Sequence, residues 1–240
     1  MVENLRLSAH RGAHTVAPEN TVEAYQKAID LSYRAIELDP RISSDGEIFI
    51  MHDDTVDRTT NGTGYIADMS SGQIRQLEID ASDYPEYQSK VLRVPTFEES
   101  VKIISTGDII LNVDGSKVDW SNAIFAKRAV DILKKYGVYK KSFFVISDVN
   151  QRIKFNESYP DATLSWLLTD ENLIDSAISE AKKYQRALLS IPLELATEVV
   201  FEKLRNTNIY YQIYNVNRII DLKYLTSKKV RMVETETLLP

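Results

Sequence analysis

Residues 109–145 read IILNVDGSKVDWSNAIFAKRAVDILKKYGVYKKSFFV. A short β-branched run opens at Ile109, a helical pattern follows from Ser121 to Gly137, and a second apolar run opens at Phe143. Ile124, Val130, Leu133 and Tyr136 fall on or near one helical stripe, and Gly137 supplies the stop. A helix between two short strands is the crossover that parallel strands require, since a tight turn joins only antiparallel neighbours. Working outward from this unit, eight strand-like runs begin at Leu5, Ala35, Ile109, Phe143, Thr163, Ala187, Ile209 and Arg231. Further helical patterns cover Glu171 to Tyr184, Glu198 to Leu204 and Arg218 to Leu225. The first helix is expected to begin with Asn20 as its cap and Glu23 reaching back. Eight strands alternating with helices predict an α/β fold, a closed (β/α)8 TIM barrel, for which about 250 residues is typical. An open doubly wound sheet is the alternative. Residues 53–98 break the alternation with Asn61-Gly62-Thr63-Gly64 and scattered Ser and Tyr, and read as a small insertion after the second barrel strand. The expectation is one domain over 1–240.

The 240 residues carry 29 Lys plus Arg against 35 Asp plus Glu, a net charge of −6, which argues against nucleic acid as a partner. With 43% hydrophobic and 27% charged residues the composition is that of a globular chain, which excludes disordered and collagen-like classes. The sequence has no Cys, so disulfide scaffolds, thiolate metal sites and Cys nucleophiles are excluded. No apolar run reaches the ~18 residues of a membrane span. Met1 to Leu7 lacks the apolar region of a signal peptide. The expected location is therefore soluble and cytoplasmic, or periplasmic or secreted if a leader has been trimmed. Oligomeric state is not legible.

The chemistry concentrates between Ala35 and Asp54. Glu37 and Asp39 lie two apart on a short strand and share a face. Two inward carboxylates are costly without a counter-charge, and a divalent cation is the usual remedy. Asp45-Gly46 between strand-like runs signals a two-residue hairpin, whose register would set His52 opposite Asp39. His10-Arg11-Gly12 follows the first strand and so falls at its C-terminal end, the active face of such a barrel. His10 and His52 can divide general acid and general base work. Arg11 offers a fork for phosphate or carboxylate, and Glu19 in Pro18-Glu19-Asn20 is placed to hold that fork. Ile110, Asn112 and Asp114 share a strand face, which makes Asp114 a third oxygen ligand. Three carboxylates suit Mg2+ or Ca2+ better than zinc. Lys117, three residues beyond Asp114, is within reach of an anion, though a surface loop lysine is the simpler reading.

His10-Arg11-Gly12, Pro18-Glu19-Asn20-Thr21, Glu37-Leu38-Asp39, Asp45-Gly46, His52-Asp53 and Arg58-Thr59-Thr60-Asn61-Gly62-Thr63-Gly64 together resemble the glycerophosphodiester phosphodiesterase family in order and spacing. Pro95-Thr96-Phe97-Glu98-Glu99 and Asn112-Val113-Asp114 continue the resemblance, while Tyr214-Asn215-Val216-Asn217 and Val233-Glu234-Thr235-Glu236 only echo it. The resemblance implies a TIM-type barrel, a divalent cation, and hydrolysis of a small-molecule glycerophosphodiester to glycerol 3-phosphate and an alcohol. By the same carry-over, His10 and His52 form the acid/base pair, and Glu37, Asp39 and Asp114 bind the metal. Arg11 touches phosphate. Three departures stand out. Asp114 replaces a longer Glu, Ser116 replaces a lysine with Lys117 on the wrong strand face unless Gly115 makes a bulge, and Tyr214 replaces a Trp that would wall the glycerol. These departures motivate a second expectation, a catalytically impaired barrel that binds phosphodiester or polyol ligands. A third, phospholipase-type cleavage of an intact lipid, would call for an apolar or basic membrane-facing loop, and the insertion is mostly polar.

Overall fold

The computed structural model describes residues 5–240. Met1 to Asn4, part of the stretch read for a leader, lie outside the described residues. In chain order the elements are β1 (Arg6–Ala9), α1 (Val22–Asp30), β2 (Ala35–Leu38), β3 (Pro40–Ile42), β4 (Ile48–Ile50), α2 (Ser71–Ile74), α3 (Phe97–Ile104), β5 (Ile110–Asp114), α4 (Ala123–Lys135), β6 (Ser142–Val145), α5 (Val149–Ser158), β7 (Thr163–Leu167), α6 (Ile174–Ala181), β8 (Ala187–Pro192), α7 (Glu198–Arg205), β9 (Tyr210–Tyr214), α8 (Ile219–Ser227) and β10 (Met232–Thr235). Eight parallel strands close a barrel in the order β1-β10-β9-β8-β7-β6-β5-β2. Each starts within one residue of a run read from the sequence, so the closed barrel holds and the open sheet does not.

Strand alternation divides the sheet residues between two cores. Ile36, Leu111, Phe144, Leu189, Ile213 and Val233 face outward into the large cluster shared with the helices. Ala35, Phe143, Leu188 and Met232, near the strand N-termini, form a separate cluster inside the barrel with Val145 at the end of β6. Further up the same inward face the side chains turn polar. Ser165 and Ser190 hydroxyls lie 2.9 Å apart, Gln212 donates to Ser190, and Asn112 donates to Glu234 at 2.9 Å. The barrel is thus apolar inside at one end and hydrogen-bonded at the end where the strands stop.

Two local readings change. The cap of α1 is Thr21, whose hydroxyl accepts from the Ala24 N–H, while Asn20 sits in the left-handed region at φ 56° with its side chain turned elsewhere. On α4, Asn122 is the cap and the buried stripe is Phe125, Ala126, Ala129, Val130, Ile132 and Leu133. Ile124 is 82% exposed. Val130 and Leu133 of the expected stripe are buried, but at its start Phe125 takes the place of Ile124, packing its ring 4.9 Å from Trp120.

The segment between β2 and α3 lies outside the barrel. β3 and β4 pair antiparallel as Pro40 with Ile50 and Arg41 with Phe49, one residue away from the register a two-residue turn would give. The cause is the turn: Gly46 N–H donates to Ser43 O, Ser43 N–H donates to Glu47 O, and Gly46 stands at φ 84°. This is the three-residue loop with a left-handed third residue. Met51, rather than His52, therefore bonds across to Asp39, through its N–H to the Asp39 carbonyl at 2.9 Å. Phe49, Met51, Val56, Ile66, Ile74 and Val94 give this insertion its own small core.

Gly115 ends β5 against the buried indole of Trp120, whose Nε1 donates to the Gly115 carbonyl at 3.0 Å. A Cβ there would stand 1.9 Å from Trp120 Nε1, and the indole is boxed by Phe125, Phe144 and Phe155. Gly115→Ala is expected to cost about 1–3 kcal/mol of stability by overpacking, read as a lower urea midpoint. An unchanged midpoint would mean that Trp120 does not press on Gly115 in solution.

Candidate active site

The C-terminal mouth of the barrel collects inward residues from several strand ends. Glu37 comes from β2, Asp39 from just beyond it and Asp114 from the last position of β5. One carboxylate oxygen from each can be chosen so that all three lie within 4.8 Å of one another. Glu37 and Asp39 are buried, each 1% exposed, whereas Asp114 is half-buried. Burial pushes the Glu37 carboxyl well above the usual range, and Asp39, Glu234 and Asp114 add repulsion in the same direction. Glu37 Oε2 accepts from the Arg11 main-chain N–H at 2.8 Å. Its other oxygen is buried without any hydrogen-bond partner. An unsatisfied buried carboxylate oxygen beside two further carboxylates fits a hard divalent cation with oxygen ligands.

Asp39 is handled differently. Its burial alone would raise its pKa, but the Lys117 ammonium and the Asn20 amide outweigh that and hold it below the ordinary carboxylate value. Lys117 Nζ lies 3.0 Å from Asp39 Oδ1 and 3.1 Å from the His52 carbonyl. Asn20 Nδ2 donates to Asp39 Oδ2 at 2.8 Å, and Asn20 Oδ1 accepts from the buried Tyr25 hydroxyl. The left-handed backbone of Asn20 is what frees its side chain from helix capping for this task.

Around the carboxylates stand the two histidines. His10 Nδ1 is 3.3 Å from Glu236, and its Nε2 is 4.0 Å from Glu37. Burial lowers the His10 pKa to about 4, with the Arg11 charge pushing the same way, so the ring is neutral at neutral pH. His52 stands just past β4, and its Nδ1 lies 2.6 Å from Asp53. Its position is held by Arg41 rather than by strand pairing. The buried Arg41 fork bonds the main-chain carbonyls of Met51 and His52 and the Asp54 carboxylate. Arg11, at φ 54°, donates from Nη1 to Glu19 at 3.1 Å, and its Nε is 3.7 Å from Asp39. Arg58 grips both Glu19 and Asp53, which links the Arg11 side of the mouth to the His52 side. Tyr214 ends β9 half-buried, and burial together with Glu194, Glu234 and Asp114 raises its hydroxyl to about 12.

All eight residues singled out from the sequence, His10, Arg11, Glu19, Glu37, Asp39, His52, Asp114 and Tyr214, thus stand at one end of the barrel. Four others join them. For Lys117 the condition set by the sequence is met, because the chain leaves the strand at Gly115, whose N–H donates to Val113 O. Asn20 was read as a cap. Glu234 is buried with its pKa raised to about 8, chiefly by burial, and only its two-residue spacing from Glu236 on a closing strand signals it. Arg41 carries no signal in the sequence, since its partners lie across the hairpin at Met51, His52 and Asp54.

The fold and mouth define a (β/α)8 barrel with a buried acidic cluster between two histidines. The family model "Glycerophosphoryl diester phosphodiesterase family" matches residues 10–236, and the chain belongs to that family. It is 36% identical over 106 residues to a glycerophosphodiester phosphodiesterase of Caldanaerobacter subterraneus subsp. tengcongensis, a match spanning 44% of this chain and 43% of that protein, less than half of the relative's length. It is 25% identical over 229 residues to the uncharacterized protein YqiK of Bacillus subtilis, covering 92% of this chain and 90% of that one. Among solved structures it is similar to an Oleispira antarctica phosphodiesterase in complex with the product sn-glycerol-3-phosphate, with TM-score 0.83, 21% identity and coverage of 97% and 93%. Among the described residues no helix is long and apolar enough to cross a membrane.

In the metal-free protein His10 is expected to titrate near pH 4, readable by NMR of its ring protons. The unfolded chain takes up that proton near pH 6.5 and the folded one does not, so the folded state loses stability as pH falls from about 6.5 toward 4. A His10 midpoint near 6.5 would contradict the burial that sets its neutral state.

Proposed function

We propose that this chain hydrolyses glycerophosphodiesters to glycerol 3-phosphate and an alcohol, acting as a single domain over 1–240 with residues 53–98 as an insertion at the barrel rim. The observation that carries this reading is the mouth itself: three carboxylates within 4.8 Å, one with an unpartnered buried oxygen, beside His10 and the Asp53-backed His52. Glu37, Asp39 and Asp114 would hold one divalent cation, Mg2+ or Ca2+. Such a cation supplies Lewis-acid stabilisation of charge on the phosphate oxygens.

The remaining work falls to the side chains. His10, neutral at working pH, is suited to accept the proton of the nucleophile, either water attacking phosphorus directly or a substrate hydroxyl whose cyclic phosphate water then opens. His52 is suited to give one to the leaving alkoxide as its P–O bond breaks, with Asp53 fixing ring orientation through Nδ1 and leaving Nε2 for the substrate. Arg11, held by Glu19, presents its fork to the phosphate, and Tyr214 lines the glycerol side. Lys117 supplies the cation that Ser116 lacks, since its ammonium already lies at the Asp39 carboxylate. This weakens the case for an impaired barrel.

The test is hydrolysis of glycerophosphocholine, glycerophosphoethanolamine, glycerophosphoglycerol and glycerophosphoinositol, with EDTA and with Mg2+ or Ca2+ restored. The expected result is turnover of at least one diester, lost in EDTA and regained with metal. Absence of turnover from folded protein with either metal would favour the binding-only barrel. His52→Ala is expected to lower kcat by about 10²–10⁴-fold, and an unchanged kcat would remove His52 from the reaction. Lys117→Met is expected to lower kcat/KM at least about tenfold, the loss of one charge-assisted contact, with Ser116→Ala near wild type. The reverse ranking would return Lys117 to a surface role.

A further inference from the structure

Two adjoining cavities open away from the acidic mouth, at the opposite, N-terminal end of the barrel. A cavity of about 590 Å³ enters there, floored by Ile110, Phe143, Leu188 and Met232 and walled by Tyr184 and Tyr211. A second of about 640 Å³ adjoins it and shares Asn208, Tyr210, Tyr211 and Arg231. The floor is the apolar cluster inside the barrel, so the cavity is the barrel's lower mouth rather than a surface crease.

Its rim is cationic in a chain of net charge −6. Arg6 opens β1, and Arg186 and Arg231 immediately precede β8 and β10; all three line the cavity, with Lys140 and Lys141 beside them. Of the thirteen arginines in the sequence, eight have a carboxylate partner among the described residues. The five without one are Arg6, Arg34, Arg186, Arg205 and Arg231. Four of these line the two cavities, and Arg34 stands at the same end, next to the start of β2. The carboxylates at this rim, Asp108 and Asp161, are already paired with Lys141 and Lys140. Asp108 also interacts electrostatically with Arg6 and Arg34, but neither Arg186 nor Arg231 has a carboxylate partner among the described residues, and helix ends do not account for Arg6 and Arg186, which belong to strand starts. Tyr210 adds an aromatic face, 66% exposed, on the shared wall.

We propose that the N-terminal mouth of the barrel is a second binding site, for an amphiphilic anion whose apolar body meets Phe143, Leu188 and Met232 and whose phosphate or carboxylate head meets Arg6, Arg186 and Arg231. The size suits a small ligand. Planar forks suit an oxyanion, and the apolar floor distinguishes this ligand from a free inorganic anion. The site is separate from the acidic mouth and does not depend on any reaction there.

The test is calorimetric titration of the full chain with octyl phosphate, in Mg2+ and again in EDTA, with inorganic phosphate and the uncharged octyl glucoside as comparison probes. The expected result is one saturable site for octyl phosphate in both buffers, weakened at least about tenfold in Arg186→Glu and in Arg231→Glu. Both comparison probes should bind at least about tenfold more weakly. Both positions are exposed, and circular dichroism with diester hydrolysis would verify that the variants fold and that the acidic mouth is unaltered. Absence of saturable binding, affinity unchanged in both variants, or equal affinity for either comparison probe would overturn the proposal. Co-sedimentation with phosphatidylglycerol vesicles but not phosphatidylcholine vesicles, lost in the two variants, would assign the anion to a lipid head group. Octyl phosphate binding without co-sedimentation would assign it to a free single-chain molecule, and both results support the site.

Discussion

Burying negative charge at one end of the barrel is the constraint from which the rest of the site follows. Glu37 and Asp39 are almost fully buried within 4.8 Å of Asp114, and Glu234 lies in the same interior. A cluster of this kind is unstable in isolation, because desolvation and mutual repulsion both disfavour ionisation. The protein answers with two different devices. Asp39 is kept ionised by Lys117 and by the Asn20 amide, while Glu37 is left with one main-chain hydrogen bond and one free oxygen. The first device is self-contained, and the second leaves a buried oxygen open to a cation.

The same constraint explains the long-range links in the insertion. Arg41 clamps the main chain at Met51 and His52, and Arg58 ties Asp53 to Glu19. These forks fix a histidine that no barrel strand carries. The insertion's own apolar core holds the segment rigid enough for such bonds to position a side chain. Charge is sorted along the barrel axis, with acids and their clamps at the C-terminal mouth and, at the other, arginines that have no salt bridge among the described residues.

Much of this was legible in the sequence because strand parity and strand ends are local properties. The eight runs appear as barrel strands, and Glu37, Asp39 and Asp114 emerge on one face because residues two apart on a strand must. What was not legible depends on single-residue shifts of the backbone. Gly46 in a left-handed turn moved the hairpin register by one, so His52 reaches the site through Arg41 instead of by facing Asp39. Gly115, pressed against Trp120, ended β5 early and let Lys117 swing inward. Asn20 reads as a helix cap because Thr21, the residue that does cap, follows it directly. Glu234 and Arg41 act only through partners far away in the chain.

An acidic mouth that is electrostatically incomplete without a divalent cation should reveal itself in thermal unfolding of the wild type and of Glu37→Gln, in EDTA and with Mg2+ or Ca2+ restored. A saturable rise in wild-type Tm is expected with at least one cation. Glu37→Gln is expected to be more stable than wild type in EDTA, with the cation-dependent rise largely lost. A wild-type Tm indifferent to both cations, or a Glu37→Gln variant that keeps the full rise, would contradict this reading of the mouth.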